Sequence, residues 1–236
     1  CASCHRFDGH DGTGQRILKA KLDAEGKPAK DALGHLLSEE EVATAADLSE
    51  FGSRKWVVNV LTKYDTTFAP IANAGDKGKR FLEGEMANWC KDNQGALSDP
   101  KNSESLNALV EFIVSQSGRA DLGPYDDKRV ASGREVFTSG MLASGSLSSS
   151  CADCHAVKLA GEEASLSEGA GPGYPTLTGY AGQDWLKKLI RTPGHADFYG
   201  DNNIMLSFDE QRMSDRELDL LVKWMTGDYY RPNKDH

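Results

Sequence analysis

Two short runs hold most of the reactive side chains: Cys1-Ala-Ser-Cys4-His5 and Cys151-Ala-Asp-Cys154-His155. In each, two thiols stand three residues apart and an imidazole follows directly. On a helical turn, residues i, i+3 and i+4 share a face. Both sulfurs can then reach the two vinyl edges of one porphyrin and form thioethers, and the histidine is brought under the iron. This is the attachment pattern of c-type haem. A zinc site would draw its ligand pairs from closer in the chain, whereas these motifs begin 150 residues apart. A redox-active Cys-x-x-Cys sits in a βαβ setting, and no strand pattern surrounds either motif. The expectation is two covalently bound haem c groups. Cys1, Cys4, Cys151 and Cys154 attach them, and His5 and His155 ligate iron. Cys90 stands alone and reads as a small buried thiol.

A haem ligated by histidine alone is open to small molecules, and a methionine on the other face closes it and raises its potential. Met86, in "GEMANWC", is the one methionine before residue 125. Met205, in "NNIMLSF", takes the corresponding place in the second half. Met141 precedes the second motif, Met213 starts the last helical pattern, and Met225 belongs to its apolar stripe. Chain order favours Met86 and Met205. His10, His35, His195 and His236 read as surface residues.

These ligands need elements to position them, and the chain repeats its elements. "ADLSEFGSRKWVVNVL" (46–61) aligns without gaps to "PTLTGYAGQDWLKKLI" (175–190), pairing Leu48 with Leu177, Phe51 with Tyr180 and Trp56 with Trp185. "LNALVEFI" (106–113) likewise matches "LDLLVKWM" (218–225). Two copies predict a tandem pair of like domains, 1–120 and 121–236, and not a solenoid. Leu106, Leu109, Val110, Ile113 and Val114 follow helical spacing, with Gly118 placed for a C-terminal cap. Ser214 and Glu217 form a capping-box pattern before Leu218, Leu221, Val222 and Met225. "DDKRVASGREVFTSG" reads as a helix with Val130, Gly133, Val136 and Phe137 inward. Ser38-Glu-Glu-Glu41 predicts the start of a short helix. "SGRADLGPYDD" (117–127) reads as the linker, and the Lys- and Gly-rich stretch 15–35 as a solvated insertion in the first half. No alternating run is long enough to predict a strand, so the fold class is all-α.

Acidic residues outnumber basic ones, 36 to 27. Both halves share the excess, with 19 against 15 through Tyr125 and 17 against 12 beyond. That excludes nucleic acid as a partner, since its phosphates would repel such a surface. No stretch approaches the roughly 18–20 apolar residues of a membrane span.

The residues together resemble the class I cytochrome c family. Its order can be matched throughout the second half by the Phe137 helix, Cys151–His155, Pro175-Thr-Leu177, Tyr180, Met205 and the Trp224 helix. The resemblance implies that the Pro175 carbonyl accepts the His155 ring N–H. It implies too that Trp185, and Trp56 by the repeat, pack near a haem edge or propionate beside Tyr180. Gly133 would let the first helix approach the last. Ala46 stands where the first half should have its proline, with a carbonyl that can serve equally. The first half also lacks a helix before Cys1, which predicts an unpartnered Leu106–Val114 stripe and an upstream polypeptide that covers it.

"DLSEFGSRKWVVNVL", "EMANW" and "ADFYGDNNIM" are similar to the dihaem regions fused to cytochrome b in bacterial quinol-oxidising bc-type complexes. The resemblance implies single-electron transfer between redox protein partners, in a periplasmic or equivalent compartment and near a membrane complex. A dihaem peroxidase or a haem-based gas sensor would instead need an open iron.

Overall fold

The computed structural model describes residues 1, 4–7 and 18–229. His10, His236 and the first residues of the 15–35 insertion lie outside these. Among the described residues the chain is mostly helical, with one small sheet. The elements are β1 (Leu18–Ala20), β2 (Ser38–Glu40), α1 (Arg54–Thr62), α2 (Tyr64–Thr67), α3 (Asp76–Leu82), α4 (Glu85–Ser98), α5 (Ser103–Ser115), α6 (Asp127–Ser139), α7 (Gln183–Arg191) and α8 (Asp215–Met225), with short 3-10 turns between them. No helix among them is long and apolar enough to cross a membrane.

Contacts gather into two compact units: Cys1–Ser49 with Asp65–Gly84, and Glu50–Tyr64 with Glu85–His236. They cut across the repeat, whose copies change over near residue 120. In the first unit, β1 and β2 pair antiparallel with Leu18 opposite Glu40. Two like turns fold the chain between them. Asp23 Oδ1 accepts from the Glu25 and Lys27 amides at 3.0 and 2.8 Å. Asp31 Oδ1 accepts from those of Leu33 and His35, both at 2.9 Å. Such side-chain caps stabilise turns locally. They bring Ser38–Glu40 alongside Leu18–Ala20, so the helix expected to start at Ser38 is replaced by a strand. The ladder outweighs a capping-box pattern that has no apolar stripe behind it.

In the second unit, α1 and α7 are the repeat made physical. Each has nine residues, offset by 129. The preceding turns share backbone geometry: Glu50 and Gly179 have φ of 57° and 68°, and Gly52 and Ala181 have 75° and 60°. The two turns meet back to back. A Cβ on Gly52 would lie 2.3 Å from the Ala181 Cβ, so one copy must carry glycine here.

Helix α5 is the centre of this unit. Leu109, Phe112 and Val114 are fully buried. Its partner is α6, which lies so close that a Cβ on Gly133 would fall 1.9 Å from the Ala108 carbonyl oxygen. This corrects two expectations. The Leu106–Val114 stripe is covered by a helix of the same chain, and Gly133 serves contact with α5, the terminal helix of the other copy. The reason lies in the chain path: the segment joining α5 to α6 returns the chain along α5. That segment is no solvated tether. Arg119 is buried, donating to the Phe51 carbonyl at 2.8 Å, the Met225 carbonyl at 3.1 Å and both Asp121 carboxylate oxygens. Arg54 donates to the Leu122 carbonyl and pairs with both Glu111 oxygens.

The remaining core joins α7 and α8. Trp185, Leu186, Leu189, Ile190, Phe198, Leu218 and Val222 form it, with Tyr180 and Met205 packed on its edge. Ser214 and Glu217 close a reciprocal cap at the start of α8.

Candidate functional site

Each Cys-x-x-Cys-His run forms one tight turn. His5 N donates to the Cys1 carbonyl at 2.9 Å, and His155 N to that of Cys151 at 2.8 Å. A bond from i+4 back to i closes one turn of chain around the two cysteines and the histidine. In the second motif a capping box between Ser150 and Asp153 sets the start of the turn. No disulfide joins the cysteines.

Each imidazole is then oriented by the repeat. His155 Nδ1 lies 2.7 Å from the Pro175 carbonyl oxygen, and His5 Nδ1 lies 2.8 Å from that of Ala46. A carbonyl can only accept, so Nδ1 carries the proton and Nε2 keeps its lone pair for a metal. Burial is the larger influence on both rings and holds each below the usual imidazole pKa, with the carbonyl contact opposing it. A neutral ring is the form that ligates. The backbone repeats around them too. Leu48 N donates to the Arg6 carbonyl and Leu177 N to that of Ala156, both at 2.9 Å. Ala46 thus does without a proline ring what Pro175 does with one.

The thiols sit in unequal settings. Cys151 is buried, and desolvation pushes its thiol up to about 12. Cys154 is raised as well, by burial first and then by the negative charges of Glu85 and Asp153. Cys154 opens onto a cavity of about 1140 Å³ that Thr176, Trp185 and Phe198 also line. Cys151, His155 and Met205 are not on its wall, so the ligand geometry defines the site better than the cavity does. Two thiols without a disulfide and an Nδ1-anchored imidazole are donors of the kind a covalently held haem would take. Among the described residues, no group of three or more His, Cys, Asp or Glu side chains is placed to hold a metal ion.

Met205 lies in irregular chain after the Gly200–Asn202 turn, partly buried on the α7–α8 core. Met213 and Met225 also touch that core, and Met141 is exposed. Met86 is the second residue of α4, so a helix carries it and not a covering loop. Met86 and Trp56 belong to the second unit, whereas Cys1, Cys4, His5 and Ala46 belong to the first.

The matched aromatics form a pseudo-symmetric cluster. Phe51 and Trp56 have ring centres 5.0 Å apart, and Tyr180 and Trp185 have theirs 5.1 Å apart. Across the cluster, Trp56 Nε1 donates to the Tyr180 hydroxyl at 3.0 Å. Phe51 has no hydroxyl, so Trp185 Nε1 donates to the Thr176 carbonyl at 2.8 Å. That indole N–H is therefore occupied by backbone, and Trp185 offers its ring face and edge to its surroundings.

Three features escaped the sequence reading. Helix α4 braces the second motif: Trp89 Nε1 donates to the Ser149 carbonyl at 3.1 Å, and Asn93 exchanges bonds with Ser148. The Tyr174 hydroxyl donates to Glu85, and that carboxylate pushes the phenol up to about 12. The Asn203 side chain brackets the Met205 backbone. An Asn two residues before a candidate ligand is a readable signal, because Asn favours side-chain bonds two residues onward. The other two depend on long-range packing.

No family model, curated protein sequence or solved structure matches this chain.

Proposed function

We propose that this chain is a dihaem c-type cytochrome module that passes single electrons between redox protein partners, of the kind that serves a respiratory quinol-oxidising complex. One observation carries the reading. Two separate Cys-x-x-Cys-His turns each have a histidine Nδ1 anchored on the carbonyl at the same position of a repeat, Ala46 and Pro175. A structural zinc site has no need of that symmetry, whereas two like haem sites do.

In this reading Cys1 and Cys4 hold one haem and Cys151 and Cys154 the other. His5 and His155 supply one axial nitrogen each, and Met86 and Met205 the opposing sulfurs. The bound haems supply reversible one-electron iron chemistry. The chain orients the imidazoles, excludes water and sets potentials through burial and the axial sulfur. Thioether formation adds a thiol across a vinyl group and needs reduced cysteines. The attachment machinery works outside the cytoplasm, so the module functions in the periplasm or an equivalent compartment.

The test is the mass of the denatured protein together with the spectrum of the oxidised form. Two porphyrin increments, low-spin iron and a near-infrared sulfur-to-iron band are expected. A colourless protein lacking both increments would end the proposal. Carbon monoxide binding to wild-type ferrous protein would turn it toward a peroxidase or gas sensor.

A further inference from the structure

We propose that Asn203 is the positioning residue that keeps Met205 over the second haem, so that this iron stays closed because one side-chain amide clamps the ligand's backbone. The inference rests on the reading of Met205 as an axial ligand. Asn203 Nδ2 donates to the Met205 carbonyl at 2.8 Å, and Met205 N donates to Asn203 Oδ1 at 3.0 Å. A single amide therefore holds both peptide groups that flank the Met205 Cα. Fixing both planes fixes the direction of the Cα–Cβ bond, and with it where the thioether can reach.

The clamp is itself seated. Asn203 N donates to the Gly200 carbonyl at 3.2 Å. Gly194 lies beneath the amide, at a distance where an added Cβ would be 3.5 Å from Nδ2. Helix does not hold this stretch, because α8 begins only at Asp215. The next residue does not pin it either, since Leu206 is 61% exposed. Met86 and Met225 stand in helices, the Met213 N–H bonds the Asp209 carbonyl, and the Met213 and Met225 carbonyls accept from Arg191 and Arg119. Of these candidates, Met205 is the one whose own N–H and carbonyl are both held by a single side chain.

The experiment compares wild type with Asn203→Ala, Asn203→Asp and Met205→Leu, as purified haem-loaded protein. The readouts are the near-infrared sulfur-to-iron band and carbon monoxide bound by the ferrous form. Wild type should show the band and bind no carbon monoxide. Met205→Leu should lose part of the band and bind one equivalent. Asn203→Ala should weaken closure about tenfold, as losing two backbone anchors implies, giving a reduced band and partial carbon monoxide binding at one haem. Asn203→Asp keeps an acceptor for Met205 N and should fall between. Unchanged thermal unfolding separates misplacement of the ligand from general damage, and Asn203→Asp answers the question if the alanine variant folds poorly. If both Asn203 variants keep the full band and exclude carbon monoxide while Met205→Leu opens, the clamp is refuted and the ligand reading stands. If Met205→Leu leaves the band intact, the ligand reading fails and the clamp falls with it.

Discussion

Glu111 is a carboxylate buried on the most apolar helix of the chain, with its side chain 7% exposed. It is tolerated because Arg54 meets both of its oxygens at 2.6 and 2.7 Å and the Asp126 amide adds a third donor. The Arg54 hydrogen bonds are the main cause holding its carboxyl below the usual value, with burial opposing them. The sign follows: a group depressed by folding contributes stability above its unfolded pKa of about 4.3 and loses it as pH falls through the folded value. Urea midpoints from pH 7 to pH 3 should therefore drop more steeply for wild type than for Glu111→Gln below about pH 4. Parallel curves would show that the pair adds nothing pH-dependent. At pH 7 the same variant should cost about 1–3 kcal/mol, because it strands a charged donor. None of this was legible beforehand. Periodicity marked α5 as a buried helix, but a Glu in a stripe says nothing about which Arg, 57 residues away, answers it. The tight turn of each Cys-x-x-Cys-His run was legible because it is local: spacing within one turn sets which backbone groups meet.

Helices α5 and α6 show the opposite limit. Each was readable alone, and Gly133, Val136 and Phe137 do face inward, while Val130 is only half-buried. Their pairing with each other was not, since an apolar stripe specifies that it will be covered and not by what. The contact is tight enough to test with one methyl group. Gly→Ala within a helix ordinarily gains about 1 kcal/mol. At Gly133 the new Cβ would overlap the Ala108 carbonyl at 1.9 Å, and backbone on both sides cannot yield. Overpacking should win, so Gly133→Ala should lower unfolding stability by about 2 kcal/mol or more. A neutral or stabilising effect in urea titration would show that the helices can separate freely. The small sheet was missed for a related reason. Three-residue strands lack an alternating pattern, although the paired Asp-Ala-x-Gly sequences at 23–26 and 31–34 were visible turn signals.

Charge acts over longer distances than either of these. With 36 acidic against 27 basic residues, the module, if it carries the proposed haems, should attract cationic electron donors and acceptors and repel anionic ones, and salt should weaken both effects. Stopped-flow oxidation by a small cationic complex should slow as ionic strength rises, while oxidation by a small anionic one should quicken. Equal response to salt in both would remove any steering role for the acidic surface. The acidic excess was legible from composition alone, because net charge does not depend on the fold. The relation of sequence copies to packing was not. The repeat suggests a joint near residue 120, where glycines and a proline punctuate the chain. Yet Phe112 and Phe137, on either side of it, are wholly buried with ring centres 5.1 Å apart. A protease cut there would not part the second unit cleanly: each fragment would carry half of a torn apolar seam into water.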